Sequence, residues 1–212
     1  MLLVKDSMAR EVVTLSPGET AGTALGLCRE RRIRHLPVLE DGRLVGVVSD
    51  RDLRSATPAF GDPARAAALA EVRVGSVMAR DVVTARPDDP IDGAANTMRE
   101  RGINCLPVLE DDELVGIVTS TDVMESLVFM LGAHEPGSRM EVVVPDRPGT
   151  LAGVAGLIGE LGINIVSVVT GPRLEGSPPS RVGVFRVDTI NPAGAAEVLE
   201  SAGYRVLWPP RP

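Results

Sequence analysis

Two short stretches carry a hydroxyl and a carboxylate at a fixed spacing. They are Ser49 with Asp52, and Thr119 with Asp122, the second pair 70 residues after the first. Each pair follows an apolar run, Leu44-Val45-Gly46-Val47-Val48 or Leu114-Val115-Gly116-Ile117-Val118, and precedes a helix-compatible segment. Two chemistries suit this arrangement. A Ser or Thr with an acidic residue three positions later is a capping-box-like helix start, whose groups satisfy free amides and complement the helix dipole. A helix mouth also offers N–H groups to an anion. There, a carboxylate not consumed by the cap can accept from the paired hydroxyls of a ribose, as an acidic residue does in dinucleotide folds. On this second reading the hydroxyl serves the cap and the carboxylate turns to the ligand. Duplication of the whole stretch adds weight to it.

The elements that must position these groups are also duplicated. Residues 4–53 and 74–123 align without a gap, with about half the positions identical, which marks repeated structural units. Each copy holds the strand-like Leu36-Pro37-Val38-Leu39 or Leu106-Pro107-Val108-Leu109, where proline suits a strand entry or edge. The turn Glu40-Asp41-Gly42 is a strong hairpin signal, and Asp111-Asp112 is a less well specified version of it. The β-branched run before Ser49 or Thr119 supplies the second strand of the hairpin. Upstream, residues 20–32 and 90–101 are helix-compatible and close with Ile33 and Ile103, while Val12-Val13-Thr14 and Val82-Val83-Thr84 read as a first strand. Each unit is therefore expected to run strand, helix, strand, strand, helix, an α/β unit. The Ala-rich residues 57–73 connect repeat 1–56 to repeat 74–132, with a helix over 64–71 and Pro63 in its first turn. After Asp122, the stripe Val123, Met124, Leu127, Val128 and Leu131 is expected to be core or a dimer contact. Gly132 is expected to stop that helix.

As a set, the Leu-Pro-Val strands, the stretches Gly-Val-Val-Ser-Asp-Arg-Asp and Gly-Ile-Val-Thr-Ser-Thr-Asp, and the Val-Val-Thr segments resemble a tandem pair of CBS domains, the Bateman module. The resemblance implies clefts that hold adenosine-containing ligands. It places Ser49, Thr119, Asp52 and Asp122 at the ribose and Thr14, Thr84, Ile33 and Ile103 near the base, with Pro37, Asp50, Pro107 and Ser120 completing the set. The copies differ where the phosphates would lie. Repeat one has Arg34, His35 and Arg51, whereas repeat two has the uncharged Asn104, Cys105 and Thr121. Arginine suits phosphate through its planar fork of donors, so the two sites are expected to be unequal. His35 read alone is equally a polar residue at a strand edge. Cys105 reads as a small buried hydrophobe, since no activating constellation surrounds it.

From Met140 the pattern restarts. Strands are expected at 140–144, 163–170, 182–187 and 204–208, helices at 150–161 and 193–201, and a loop at 171–180. This βαββαβ order is a ferredoxin-like unit over residues 139–208, giving the chain α/β and α+β parts. Asp-Arg-Pro-Gly-Thr-Leu and the later Gly-Ile-Asn-Ile resemble an ACT domain, a regulatory module that commonly binds amino acids. The resemblance assigns Asp146, Arg147, Pro148, Gly149, Thr150 and Asn164 to effector contact. For Asp146 and Gly149 a simple turn that caps the helix at Thr150 is the competing reading. From end to end the chain resembles the CBS/ACT protein family of acetoin utilisation.

Composition sets the bounds. The 212 residues are 44% hydrophobic with a net charge of −7, and Lys5 is the one lysine. No basic block invites nucleic acid or an anionic membrane surface. Two cysteines, Cys28 and Cys105, imply no disulfide framework and fit a reducing cytoplasm. No metal-ligand spacing occurs, and the nucleophile candidates lack partners in any recognisable motif. The expectation is a non-enzymatic sensor with no obligatory cofactor. It would bind AMP, ADP or ATP in the repeats and an amino acid at the ACT domain, form a two-fold homodimer and act on a metabolic enzyme. A purely structural dimerisation module and an enzyme are the alternatives.

Overall fold

The computed structural model describes residues 2–176 and 178–210. Met1, within the expected first repeat, and Ser177, within the expected loop 171–180, lie outside the described residues. The chain forms two compact units, residues 1–126 and 127–212.

In the first unit, α1 (Val4–Ser7) leads to α2 (Ala21–Arg31), β1 (His35–Glu40), β2 (Arg43–Ser49) and α3 (Asp50–Ser55). The connector carries α4 (Arg65–Glu71), and the second copy follows as α5 (Val74–Val77), α6 (Ile91–Arg101), β3 (Cys105–Glu110), β4 (Glu113–Thr119) and α7 (Ser120–Met130), whose residues from Leu127 onward belong to the second unit. The Thr20 hydroxyl accepts from the Thr23 N–H and caps α2. Arg32 and Gly102, both left-handed, end α2 and α6.

Both hairpins have two-residue turns in which both residues take positive φ: Asp41 at 50° and Gly42 at 77°, Asp111 at 51° and Asp112 at 66°. This is the geometry that matches strand twist in a tight hairpin. The second turn is therefore as defined as the first, because aspartate tolerates the left-handed region better than other non-glycine residues. Pro37 and Pro107 sit inside β1 and β3 rather than at their entries, paired with Val47 and Ile117. Their carbonyls accept from the Leu15 and Ala85 N–H groups at 3.0 Å. The Val-Val-Thr segments are not strands; each touches its hairpin through one parallel bridge, Leu15 to Val38 and Ala85 to Val108.

The repeats are not independent, because each contributes its opening segment to the other. Val74 and Met78 belong to the core of repeat one, with Leu36, Val38, Val48 and Leu53. Val4 and Met8 belong to that of repeat two, with Ile91, Leu106, Val108 and Val118. Ala79 and Val47 exchange backbone bonds of 2.9 and 3.0 Å, as do Ala9 and Ile117. Lys5 reaches Asp88 at 2.6 Å. The connector also packs, with Leu69 and Val72 against the first core and the Leu69 carbonyl facing Gly22.

The second unit holds β5 (Ser138–Pro145), α8 (Thr150–Glu160), β6 (Ile165–Leu174), β7 (Ser180–Val187), α9 (Ala193–Ser201) and β8 (Arg205–Trp208). The sheet order is β6-β7-β5-β8, with all pairs antiparallel. Met140, Val142, Val144, Phe185 and Val187 alternate onto the buried face against Val154, Ile158 and Leu199 of the helices. The βαββαβ expectation holds. The loop expected from Gly171 is shorter, since Arg173 and Leu174 still pair with Arg181 and Ser180 past an irregularity after Thr170. On α7, Met124, Leu127 and Val128 are exposed and are not core within the chain, whereas Val123 packs against the second core.

An ideal Cβ on Gly46 would lie 2.5 Å from Met78 Sδ and 3.0 Å from the Ala79 carbonyl, and one on Gly116 meets Met8 and Ala9 in the same way. Gly46→Val and Gly116→Val are each expected to cost about 1–3 kcal/mol by overpacking. Urea titration followed by far-UV circular dichroism measures this. A loss under half a kilocalorie would show that the contact yields.

Candidate functional site

In repeat one the predicted residues converge on one end of the hairpin. His35 stands opposite Ser49 in the strand register. The Asp50 N–H donates to the Arg34 carbonyl at 3.0 Å, joining the head of α3 to the entry of β1. Thr14 precedes Leu15, which is bonded along β1. Ile33 is half-buried against the first core, its N–H donating to the Cys28 carbonyl at 3.0 Å. Repeat two reproduces the arrangement. Cys105 faces Thr119, the Ser120 N–H donates to the Asn104 carbonyl at 3.0 Å, and Ile103 packs on the second core.

Both carboxylates take part in the caps. The Ser49 N–H and hydroxyl donate to Asp52 Oδ2 at 3.0 and 2.6 Å, and the Asp52 N–H donates back to Ser49 Oγ at 3.2 Å. At the second copy the Thr119 N–H and hydroxyl donate to Asp122 Oδ2, both at 2.7 Å, with a long return bond of 3.5 Å. The reading in which the hydroxyl alone serves the cap is corrected: one oxygen of each carboxylate is committed to it. The other oxygen, Oδ1, has no hydrogen-bond partner among the described residues and remains an acceptor at the mouth of the helix.

Burial holds the His35 pKa below its ordinary value. Asp50 and Asp52 oppose this and Arg34 reinforces it. The imidazole is therefore neutral at pH 7, a hydrogen-bonding group rather than a third cation beside Arg34 and Arg51. Those two arginines are exposed, and their guanidinium groups have no hydrogen-bond or ion-pair partner among the described residues. Thr121 is likewise exposed. Cys105 is buried and its thiol is pushed up to about 11 by that burial, as befits a packing residue.

A cavity of about 360 Å³ between α6 and α7 takes in Ile103, Asn104 and Ser120 but not Thr84, Thr119 or Asp122. It adds Ala95, Met98, Arg99, Gly102 and Val123, which motif reading did not select. Arg99 puts a cation beside the copy read as uncharged. Its signal was available, since Arg29 occupies the matching place in the first repeat.

At the third domain, a cavity of about 740 Å³ is lined by Arg147, Pro148, Gly149 and Thr150 with Val143, Pro145, Pro178, Ser180, Ala202, Gly203, Tyr204 and Arg205. Two predicted residues fall outside it. Asp146 is bound by Arg173 Nε at 2.7 Å and Arg181 Nε at 3.0 Å, and these bonds, Arg181 first, hold its carboxyl below the usual range. It neither caps α8 nor faces the cavity. Asn164 serves through its carbonyl, which accepts from the Asp188 N–H at 2.9 Å. Gly149 adopts φ 83°, and a Cβ there would meet nothing. The left-handed backbone at the head of α8, rather than crowding within the chain, is what calls for glycine.

The family profile of the CBS domain matches residues 4–58 and 74–128, and that of the ACT domain matches 138–203. The chain belongs to the CBS-domain family, with an ACT domain following the pair. It is 33% identical to a structure from Vibrio cholerae described as an acetoin utilization protein (AcuB), covering 64% of this chain and 96% of that one at a TM-score of 0.54. It is 28% identical to the CBS domain pair of protein MJ0100 in complex with 5′-methylthioadenosine and S-adenosyl-L-methionine, covering 64% and 99% at a TM-score of 0.53. Among curated proteins, homoserine O-acetyltransferase of Methanococcoides burtonii is 37% identical over 122 residues, which are 57% of this chain. The chain spans only 23% of that relative's length. No helix among the described residues is long and apolar enough to cross a membrane.

Because the folded pKa of His35 lies below its unfolded value of about 6.5, the unfolded chain binds more protons between the two. The stability present above pH 6.5 is lost as pH falls toward the folded value. His35→Gln is expected to lose less stability than the wild type between pH 7.5 and 5.5. Urea midpoints at the two pH values measure it, and equal losses would contradict the buried neutral imidazole.

Proposed function

We propose that the chain is a non-enzymatic regulatory protein whose repeats bind an adenine nucleotide, AMP, ADP or ATP, and whose ACT domain takes a small-molecule effector. The observation that carries this reading is the duplicated helix mouth, where Asp52 and Asp122 each retain one carboxylate oxygen beside a cap. A carboxylate so placed accepts from the paired hydroxyls of a ribose, the group common to adenosine ligands. The ligands of the MJ0100 CBS pair support an adenosine-containing class. The description of the Vibrio relative supports a link to acetoin utilisation, where the partner would be a metabolic enzyme. The exposed Met124, Leu127, Val128 and Phe129 on α7 support a homodimer. The two buried free cysteines suit a cytoplasmic setting.

Asp52→Ala and Asp122→Ala are each expected to weaken AMP and adenosine binding at one site by about 10- to 150-fold, the loss of a charged hydrogen-bond partner. Each also loses about 1 kcal/mol of stability through its cap. Titration calorimetry of both variants, with parallel melts, separates the effects. A stability loss with unchanged affinity would leave the carboxylates as caps alone. Arg34→Gln and Arg51→Gln are expected to weaken AMP more than adenosine, and more so at low salt. Equal weakening of the two ligands would remove the phosphate role.

A further inference from the structure

We infer that the cavity at the head of α8 is a site for a small dianion, held by Arg147 and Arg205. This rests on the reading of the ACT domain as an effector module and narrows the chemistry of its effector. The chain as a whole is acidic, yet Arg147 and Arg205 both line this cavity, and the carboxylate of the loop, Asp146, is paired with two other arginines, Arg173 and Arg181. That carboxylate is consumed. Arg173 holds Oδ2 and Arg181 holds Oδ1, outside the cavity lining. Arg147 and Arg205 line the cavity, and their guanidinium groups have neither hydrogen-bond nor ion-pair partners among the described residues.

The remaining lining adds donors of the same sense. The Tyr204 hydroxyl has no hydrogen-bond partner among the described residues. The eleven-residue α8 begins at Thr150 with no side-chain cap. The Thr150 N–H donates to the Arg147 carbonyl at 3.4 Å, and the next two N–H groups, of Leu151 and Ala152, have no acceptor among the described residues and suit an anion. Among the described residues no aspartate or glutamate lines the cavity, so the ammonium of an α-amino acid would find no carboxylate there. Two guanidinium forks suit two acidic groups, each bound bidentately. A volume of about 740 Å³ lies in the range of small-molecule sites. A dicarboxylate and a phosphate monoester share the required charge, and the test separates them.

The full chain is titrated calorimetrically with succinate, glycerol 3-phosphate, aspartate and leucine. At least one of the two dianions, succinate or glycerol 3-phosphate, is expected to bind, and which one binds names the acidic group. Aspartate, which is succinate with an ammonium added, is expected to bind no tighter than succinate, and leucine to give no signal. Arg147→Gln and Arg205→Gln, both at exposed positions, are each expected to weaken the dianion by about tenfold or more while leaving adenosine binding and the melt unchanged. Leucine binding with both dianions silent would overturn the inference and leave an amino-acid effector site standing. Silence of all four probes would overturn both. A dianion whose affinity is indifferent to both substitutions would overturn the arginine assignment.

Discussion

The thioether of Met78 occupies the space over Gly46, and that of Met8 the space over Gly116, each 2.5 Å from where a side chain would begin. The close approach is possible only because both strands carry glycine at that point. It lets the backbones of Ala79 and Ala9 reach the central strands and exchange bonds with Val47 and Ile117. The opening turn of each repeat is thereby fixed to the other, and the two cores are completed reciprocally. A two-stranded hairpin alone is marginal in water. Here neither hairpin stands alone, since each borrows a valine and a methionine from its counterpart.

Local signals were read well because they are local. Helix limits followed from caps and left-handed ends, and hairpins from β-branched runs closed by aspartate and glycine. The exchange of opening segments was not readable, although Met8 and Met78 stood out as matched residues. Periodicity shows that Val4 and Val74 are apolar, but not whose core they enter. The stripe on α7, expected as core or a dimer contact, divides for a related reason, with Val123 on the second core and Met124, Leu127 and Val128 exposed. Helical spacing identifies one apolar face without telling whether the chain itself covers it.

The sequence placed the candidate residues at the helix mouths but could not show how their groups are shared. Ser49 with Asp52 and Thr119 with Asp122 form the cap and still leave the ribose reading open, because a carboxylate has two oxygens and the cap uses only one of them. The proposed contact with ribose and the cap are therefore compatible. At the third domain the motif named the loop but not its wall. Tyr204 and Arg205 lie far along the chain and reach the loop only because β8 pairs with β5. Asp146, inside the motif, is turned away by arginines from β6 and β7.

The strand that closes this wall also decides what light can reveal. The chain has one tryptophan and one tyrosine, Trp208 in β8 and Tyr204 just before it. Trp208 is about half exposed and Tyr204 borders the cavity. Both thus belong to the ACT unit, and residues 1–126 hold neither tryptophan nor tyrosine. Intrinsic fluorescence is in effect a private channel to the third domain. It registers events beside β8 directly and receives no emission from the repeats, so an optical silence during nucleotide addition says nothing about whether the CBS pair is occupied.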